Sequence, residues 1–86
     1  RNHNGHYLNS LCRTAPAVCQ GYVAAVVDVM ARLAYLHGYR ACFPPGIKDI
    51  RLTNAVARWL IAHPQMRDHP ADVLVARSLA EVYPCR

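Results

Sequence analysis

The stretch TAPAVCQGYVAAVVDVMARLAYLHG, residues 14–38, determines the fold class of this 86-residue chain. Its apolar residues recur at steps of three and four, which is the period of an α-helix. Thr14 suits the N-cap, Pro16 the first turn, and Gly38 the position after the last turn. We therefore expect one central helix running to His37. One apolar stripe comprises Val18, Tyr22, Val26, Val29, Leu33 and Leu36, and a second stripe beside it comprises Cys19, Val23, Val27, Met30 and Ala34.

Three further helices are predicted on both sides of this segment. A short one spans about His6 to Cys12, and a longer one runs from Lys48 to His63, where Pro64 stops it. The spacing of Leu52, Val56, Trp59 and Leu60 predicts the buried stripe of this longer helix. Asp68 or His69 can cap a last helix that has Pro70 near its first position. Its inward residues would be Ala71, Leu74, Val75, Ser78, Leu79 and Val82. We see no strand alternation and no repeat, and we predict a single all-α domain over residues 1–86, a compact bundle of three main helices and one short N-terminal helix.

The four cysteines predict disulfides and an oxidising compartment. The alternative is a zinc site, but structural zinc normally takes at least one close ligand pair, and none is present here. Helix length then limits the pairing, because roughly 28 Å separate the ends of the long helix at 1.5 Å per residue. In an up-down-up arrangement Cys12 and Cys19 lie at one pole and Cys42 and Cys85 at the other. We predict the pairs Cys12–Cys19 and Cys42–Cys85.

The charge and the absence of catalytic groupings narrow the function further. The net charge of +5 is spread along the chain without a run, whereas nucleic-acid binders usually cluster cations or interleave them with aromatic residues. An acidic protein partner is the second interpretation of this charge. His37, His63 and His69 lie at helix ends, where histidine commonly caps carbonyl groups. We expect no enzyme, no cofactor and no metal, and we expect a binding protein with no nucleic-acid partner and no membrane span.

Several short motifs occur in an order that resembles a known family. They are Leu8-Asn9-Ser10-Leu11-Cys12, Cys19-Gln20-Gly21-Tyr22-Val23, Cys42-Phe43-Pro44-Pro45-Gly46, Trp59-Leu60-Ile61-Ala62-His63-Pro64, His69-Pro70-Ala71 and Tyr83-Pro84-Cys85. Together they cover nearly the whole chain and resemble the Rap/Tai immunity family of type VI secretion systems. The resemblance implies a small periplasmic helical protein, trimmed of its signal peptide, that binds a peptidoglycan amidase toxin.

The family resemblance also implies a mechanism and a site. Such toxins are cysteine–histidine hydrolases, and proteins of this family occlude the cleft with a loop between helices, often as homodimers. The corresponding loop here is His63-Pro64-Gln65-Met66-Arg67-Asp68-His69. Proline near both ends makes it stiff, and Met66 and Arg67 are residue types enriched at interfaces. Weaker partner-binding candidates on the polar face of the preceding helix are Arg51, Asn54 and Arg58.

Three other interpretations of the loop and of the chain remain open. The loop could be an ordinary interhelical turn. The chain could be a structural or chaperone-like periplasmic protein that binds acidic clients in a salt-sensitive way. It could also be a redox or metal protein that uses Cys12, Cys19, Cys42 and Cys85, and such a protein would show reactive thiols or bound zinc.

Overall fold

Four α-helices form the fold in the computed structural model, which describes residues 3–86. They are α1 (Gly5–Thr14), α2 (Pro16–Arg32), α3 (Asp49–Ala62) and α4 (Ala71–Val82), and a 3₁₀ turn, Pro64–Met66, lies between α3 and α4. This confirms the all-α fold and the short N-terminal helix. Within residues 3–86 no helix is both long and apolar enough to span a bilayer.

Each helix contributes one face to a common core. α3 buries Leu52, Val56, Trp59 and Leu60, which are the four residues predicted from their spacing. The rest of the core comes from Leu8 of α1, from Cys19, Val23, Val26 and Met30 of α2, and from Ala71, Leu74, Val75, Ala76, Ser78 and Leu79 of α4. The prediction for α4 is wrong at Val82, which is 46% exposed, while the unpredicted Ala76 is fully buried.

The long helix predicted for residues 14–37 is shorter than expected at both ends. Thr14 ends α1, where its hydroxyl donates to the Ser10 carbonyl at 2.9 Å, so it does not cap α2. At the other end α2 stops at Arg32, since Leu33 is extended with φ −103° and ψ 143°, and a tight turn follows at residues 36–39. His37 and Gly38 both have positive φ, 52° and 82°, and the backbones of Leu36 and Tyr39 exchange two hydrogen bonds of 2.9 Å around them. Gly38 therefore serves a turn and not a helix end.

Both predicted disulfides are present. Cys12–Cys19 joins the last turn of α1 to the first turn of α2, with 4.8 Å between the Cα atoms. Cys42–Cys85 joins the long α2–α3 connection to the C-terminus, with a Cα separation of 5.0 Å. The second closes a 43-residue separation, which is worth about 4 kcal/mol in the chain-entropy account. All four sulfurs are thus occupied, which removes the cysteine ligands that a zinc site would need.

The N-terminus of α1 packs directly on the α3–α4 connection. The Gly5 amide donates to the His69 carbonyl at 3.0 Å and the His6 amide to the Arg67 carbonyl at 3.1 Å. Gly5 is fully enclosed, since a Cβ there would lie 2.6 Å from Leu74 Cδ1 and 2.7 Å from Arg67 Cα. The absence of a side chain at this position therefore lets the two backbones meet.

Substitution of Gly5 tests this close approach. We expect Gly5→Ala to lower the free energy of unfolding by about 1–3 kcal/mol, because the new methyl group meets backbone that cannot move aside. The matched control is Gly21→Ala in the middle of α2, where a Cβ meets nothing within 4 Å. There we expect a gain of about 0.5–1 kcal/mol from helix propensity. Denaturant unfolding measures both, and equal effects at the two positions would contradict the packing.

Candidate functional site

The segment between α3 and α4, residues 63–69, is a compact turn with its own backbone hydrogen bonds. After α3 ends at Ala62, the Met66 amide donates to the His63 carbonyl at 3.0 Å, and the Arg67 amide donates to the Pro64 carbonyl at 3.3 Å. Pro64 fixes the first dihedral of this 3₁₀ turn. Pro70 follows in an extended conformation, with φ −56° and ψ 141°, and α4 begins after it. The predicted cap by Asp68 or His69 is therefore wrong: the residue before α4 is Pro70, which makes no side-chain cap bond.

Arg67 holds this turn to the end of α3. Its Nε donates to the Leu60 carbonyl at 2.8 Å, and its Nη2 donates to the Ile61 carbonyl at 3.3 Å. A guanidinium at this position satisfies carbonyl groups that have no partner within the helix and lies favourably at the negative end of the helix dipole. Met66 is half-buried and packs on the core. Met66 and Arg67, which the sequence analysis favoured as contacts to a partner, therefore support the turn from within.

His63 is fixed by the last turn of α3. Its ring stacks on Trp59 with 4.0 Å between ring centroids, and its Nδ1 lies 2.8 Å from the Trp59 carbonyl. Because a carbonyl only accepts, Nδ1 carries the proton in this hydrogen bond. His63 is half-buried as a result, and it orients the chain as it enters the turn.

A polar cluster on α4 secures Trp59 in turn. Trp59 Nε1 donates to Glu81 Oε1 at 2.8 Å, and Arg77 Nε donates to Glu81 Oε2 at 3.2 Å. The hydrogen bond from Trp59, supported by that from Arg77 and by its positive charge, holds the pKa of the Glu81 carboxyl below its ordinary value. The cluster joins α3 to α4 beside the turn and keeps the base of the turn in place.

The outward side of the turn presents the remaining side chains. Pro64, Gln65, Asp68 and His69 are exposed. Asp68 Oδ1 lies 3.2 Å from His6 Nε2, but both groups are well exposed, so this contact adds little stability. Of the seven residues predicted to bind a partner here, four therefore face solvent, and His63, Met66 and Arg67 are half-buried supports.

The polar face of α3 leads into this turn. Arg51, Asn54 and Arg58 are all exposed on it, as predicted. Two isoleucines that the sequence analysis did not select also belong to it, since Ile50 is 48% exposed and Ile61 is 61% exposed. The sequence could have indicated this, because Ile50 lies four residues before Asn54 and Ile61 seven residues after it, and residues at such steps share a helix face. Ile61 adjoins the turn, whereas Arg51 lies about 15 Å away along the helix at 1.5 Å per residue.

Positive charge concentrates on α3 and on the connection that precedes it. From the end of α2 to Arg58 the chain carries five cations and one carboxylate, Asp49. The cations are Arg32, Arg40, Lys48, Arg51 and Arg58. The ion pairs found within residues 3–86 use His6, His37 and Arg77 as their positive members, so none of these five is paired there. This stretch therefore carries a net positive charge that the described ion pairs do not neutralise.

Titratable side chains away from the turn lie between the α2–α3 connection and α4. Over residues 3–86 no three side chains among histidine, cysteine, aspartate and glutamate lie close enough together to hold a metal ion. His37 Nε2 lies 2.8 Å from Asp72 Oδ2 and joins the turn after α2 to the first turn of α4. Burial, and to a lesser degree the Asp72 charge, raises the pKa of the nearby Tyr22 hydroxyl, which leaves it neutral.

Comparison with known proteins identifies one family. A family model described as Rap1a immunity proteins matches residues 4–85, which is nearly the full length of the chain. Searches of curated proteins and of solved structures gave no match. The matched region includes all four helices, both disulfides and the turn between α3 and α4.

The lowered pKa of Glu81 predicts how stability depends on pH. The carboxylate form is favoured in the folded state, so its contribution is present above the ordinary pKa of 4.5 and is lost as the pH falls through the folded value. We expect Glu81→Gln to be less stable than the parent at neutral pH and the difference to shrink in acid. Unfolding free energies measured from about pH 3 to pH 7 test this. A difference that stays constant over that range would contradict the role given to Glu81.

Proposed function

The chain belongs to the Rap1a immunity protein family, and we propose that it protects its producer by occluding the active-site cleft of a type VI peptidoglycan amidase. Membership of the family implies binding of a cognate toxin. The amidase target, the periplasmic location and the cleft mechanism are the finer parts of the proposal. The observation that supports this mechanism is the shape of residues 63–69. They form a compact turn in which one set of side chains packs against the protein and a different set faces solvent.

The supports of this turn make it suitable for insertion. A flexible loop loses conformational entropy on binding, which weakens the complex. Here the Arg67 bonds to α3, the packing of Met66 and the backbone bonds to α1 fix the conformation before a partner arrives. Pro64, Gln65, Asp68 and His69 then meet the toxin. Arg51, Asn54 and Arg58 would contact its surface beside the cleft, where the positive charge of the two arginines favours an acidic rim.

The two disulfides support a periplasmic location. Such bonds form and persist in oxidising compartments, and peptidoglycan lies in the same compartment. The protein would therefore meet an injected amidase where the enzyme acts. Steric occlusion also requires no reactive group on the inhibitor, which agrees with a surface built for contact.

Inhibition of the amidase is the direct test of the turn. We expect the protein to abolish hydrolysis by the amidase-like product of the neighbouring gene at a one-to-one ratio of binding sites. Gln65→Trp should raise the concentration for half inhibition by about tenfold or more, because added bulk on the outward side cannot enter a fitted cleft. Hydrolysis of purified peptidoglycan in a titration provides the measurement.

Matched variants separate the possible outcomes of this titration. Arg13→Trp adds the same bulk at the opposite end of α1 and should leave inhibition unchanged. Arg58→Glu tests the α3 face alone. Full inhibition by Gln65→Trp would contradict insertion of the turn, and absence of inhibition by the parent would overturn the amidase target. Salt-sensitive binding to unrelated acidic proteins would instead favour a chaperone-like role.

We further propose a homodimer through the outward face of α2. Val18 is 57% exposed and Leu33 49% exposed, and the half-buried Tyr22 and Val29 lie between them along the helix with the small Ala25. This apolar stripe runs the length of α2, and the small side chain near its centre would permit close approach of a second copy.

Sedimentation tests the dimer. We expect the parent to sediment as a dimer and Val18→Asp to sediment as a monomer, because dimerisation would bury the new charge without a partner. Ile61→Asp, on an equally exposed isoleucine of α3, is the control and should remain dimeric. A parent protein that sediments as a monomer at every concentration would contradict the dimer without affecting the inhibition test.

A further inference from the structure

A groove lies at the N-terminal end of α3, opposite the turn at residues 63–69. Its walls are residues 44–48 of the connection before α3, together with Ile50 and Arg51 of the first helical turn, and we name it the proline groove. It encloses about 410 Å³, which accommodates a few side chains. Since α3 has 14 residues, about 20 Å separates the proline groove from residues 63–69.

The walls of the proline groove are fixed by covalent and local constraints. Pro44 and Pro45 lock two successive φ angles, and Gly46 adopts a φ of 76° that closes a turn in which the Ile47 amide donates to the Pro44 carbonyl at 3.2 Å. Just upstream, the Cys42 amide donates to the Tyr83 carbonyl at 2.9 Å, and the Cys42–Cys85 disulfide ties the segment to the C-terminus. A ligand would therefore find the groove already formed.

The lining combines an apolar surface with cations. Ile50 is 48% exposed there, beside the proline rings and Ile47. Lys48 and Arg51 lie at the same place, and neither has a carboxylate partner within residues 3–86. The N-cap of α3 makes no side-chain hydrogen bond, and Asp49, the acidic residue of its first turn, does not line the groove.

We propose that the proline groove docks an acidic peptide segment of a partner protein. An apolar side chain of the segment packs on Ile50 and the prolines, and flanking carboxylates pair with Lys48 and Arg51. Charge complementarity selects this occupant, because two unpaired cations beside an apolar recess attract carboxylates and repel basic peptides. An anionic membrane fits less well, because lipid surfaces typically attract clusters of about four or more basic residues and the groove presents only Lys48 and Arg51. The proposal does not depend on the identity of the toxin.

A peptide titration tests the proline groove. The probe is the blocked peptide Asp-Glu-Leu-Asp-Glu, followed by the backbone amide NMR signals of the full-length, oxidised protein. We expect shifts confined to residues 42–52, and loss of binding when the peptide leucine becomes serine or its acids become amides. Ile50→Ser and Lys48→Glu should each weaken binding by about tenfold. Lys48 and Ile50 are at the surface, outside residues 63–69 and distinct from the proposed toxin contacts Arg51, Asn54 and Arg58, so the result is independent of cleft insertion.

Controls define the results that would overturn the proposal. Ile61→Ser removes an equally exposed isoleucine from the same helix, and Arg13→Glu reverses a charge elsewhere, so both should bind the peptide as the parent does. Scattered shifts, or binding that Ile50→Ser leaves unchanged, would overturn the proline groove as the site. Failure of the peptide to bind while phosphatidylglycerol vesicles shift the same signals would replace the peptide with a membrane surface and overturn the proposal as well.

Discussion

The backbone contact between the start of α1 and the α3–α4 connection is the constraint on which the rest of the structure depends. Three amide hydrogen bonds cross it, from Gly5 to His69, from His6 to Arg67 and from Ala71 to His3, at 2.9–3.1 Å. They require that residue 5 lack a side chain. Through this contact the N-terminal helix, which Cys12–Cys19 joins to α2, sets where residues 63–69 stand relative to the rest of the bundle.

This arrangement divides the turn into supporting and presented residues. Arg67 satisfies the last carbonyls of α3, His63 stacks on Trp59, and Met66 fills the space beneath. Conformational entropy is thus lost during folding and not during binding, which favours tight association. Variation at the exposed Gln65, Asp68 or His69 could then change the partner without changing the fold, which is useful in a family where each protein recognises its own toxin.

The sequence predicted most of the fold because helical periodicity and proline positions are local signals. The spacing of Leu52, Val56, Trp59 and Leu60 was sufficient to find the buried face of α3, and helix length was sufficient to pair the cysteines. The end of α2 was predicted wrongly because His37-Gly38 fits both a helix end and a tight turn. Only the backbone pairing of Leu36 with Tyr39 in the structure distinguishes the two. The roles of Arg67 and Gly5 could not be predicted, since both depend on contacts between segments distant in the sequence.

Protection of the catalytic thiol of the proposed amidase target is the measurement that tests the central claim most directly. All four cysteines of this chain are in disulfides, so an alkylating reagent such as iodoacetamide reports on the amidase alone. Occlusion of the cleft predicts that one equivalent of the protein blocks alkylation of the amidase cysteine and that Gln65→Trp restores it. Alkylation of that cysteine at an unchanged rate in the saturated complex would contradict the account, whatever the affinity of the two proteins.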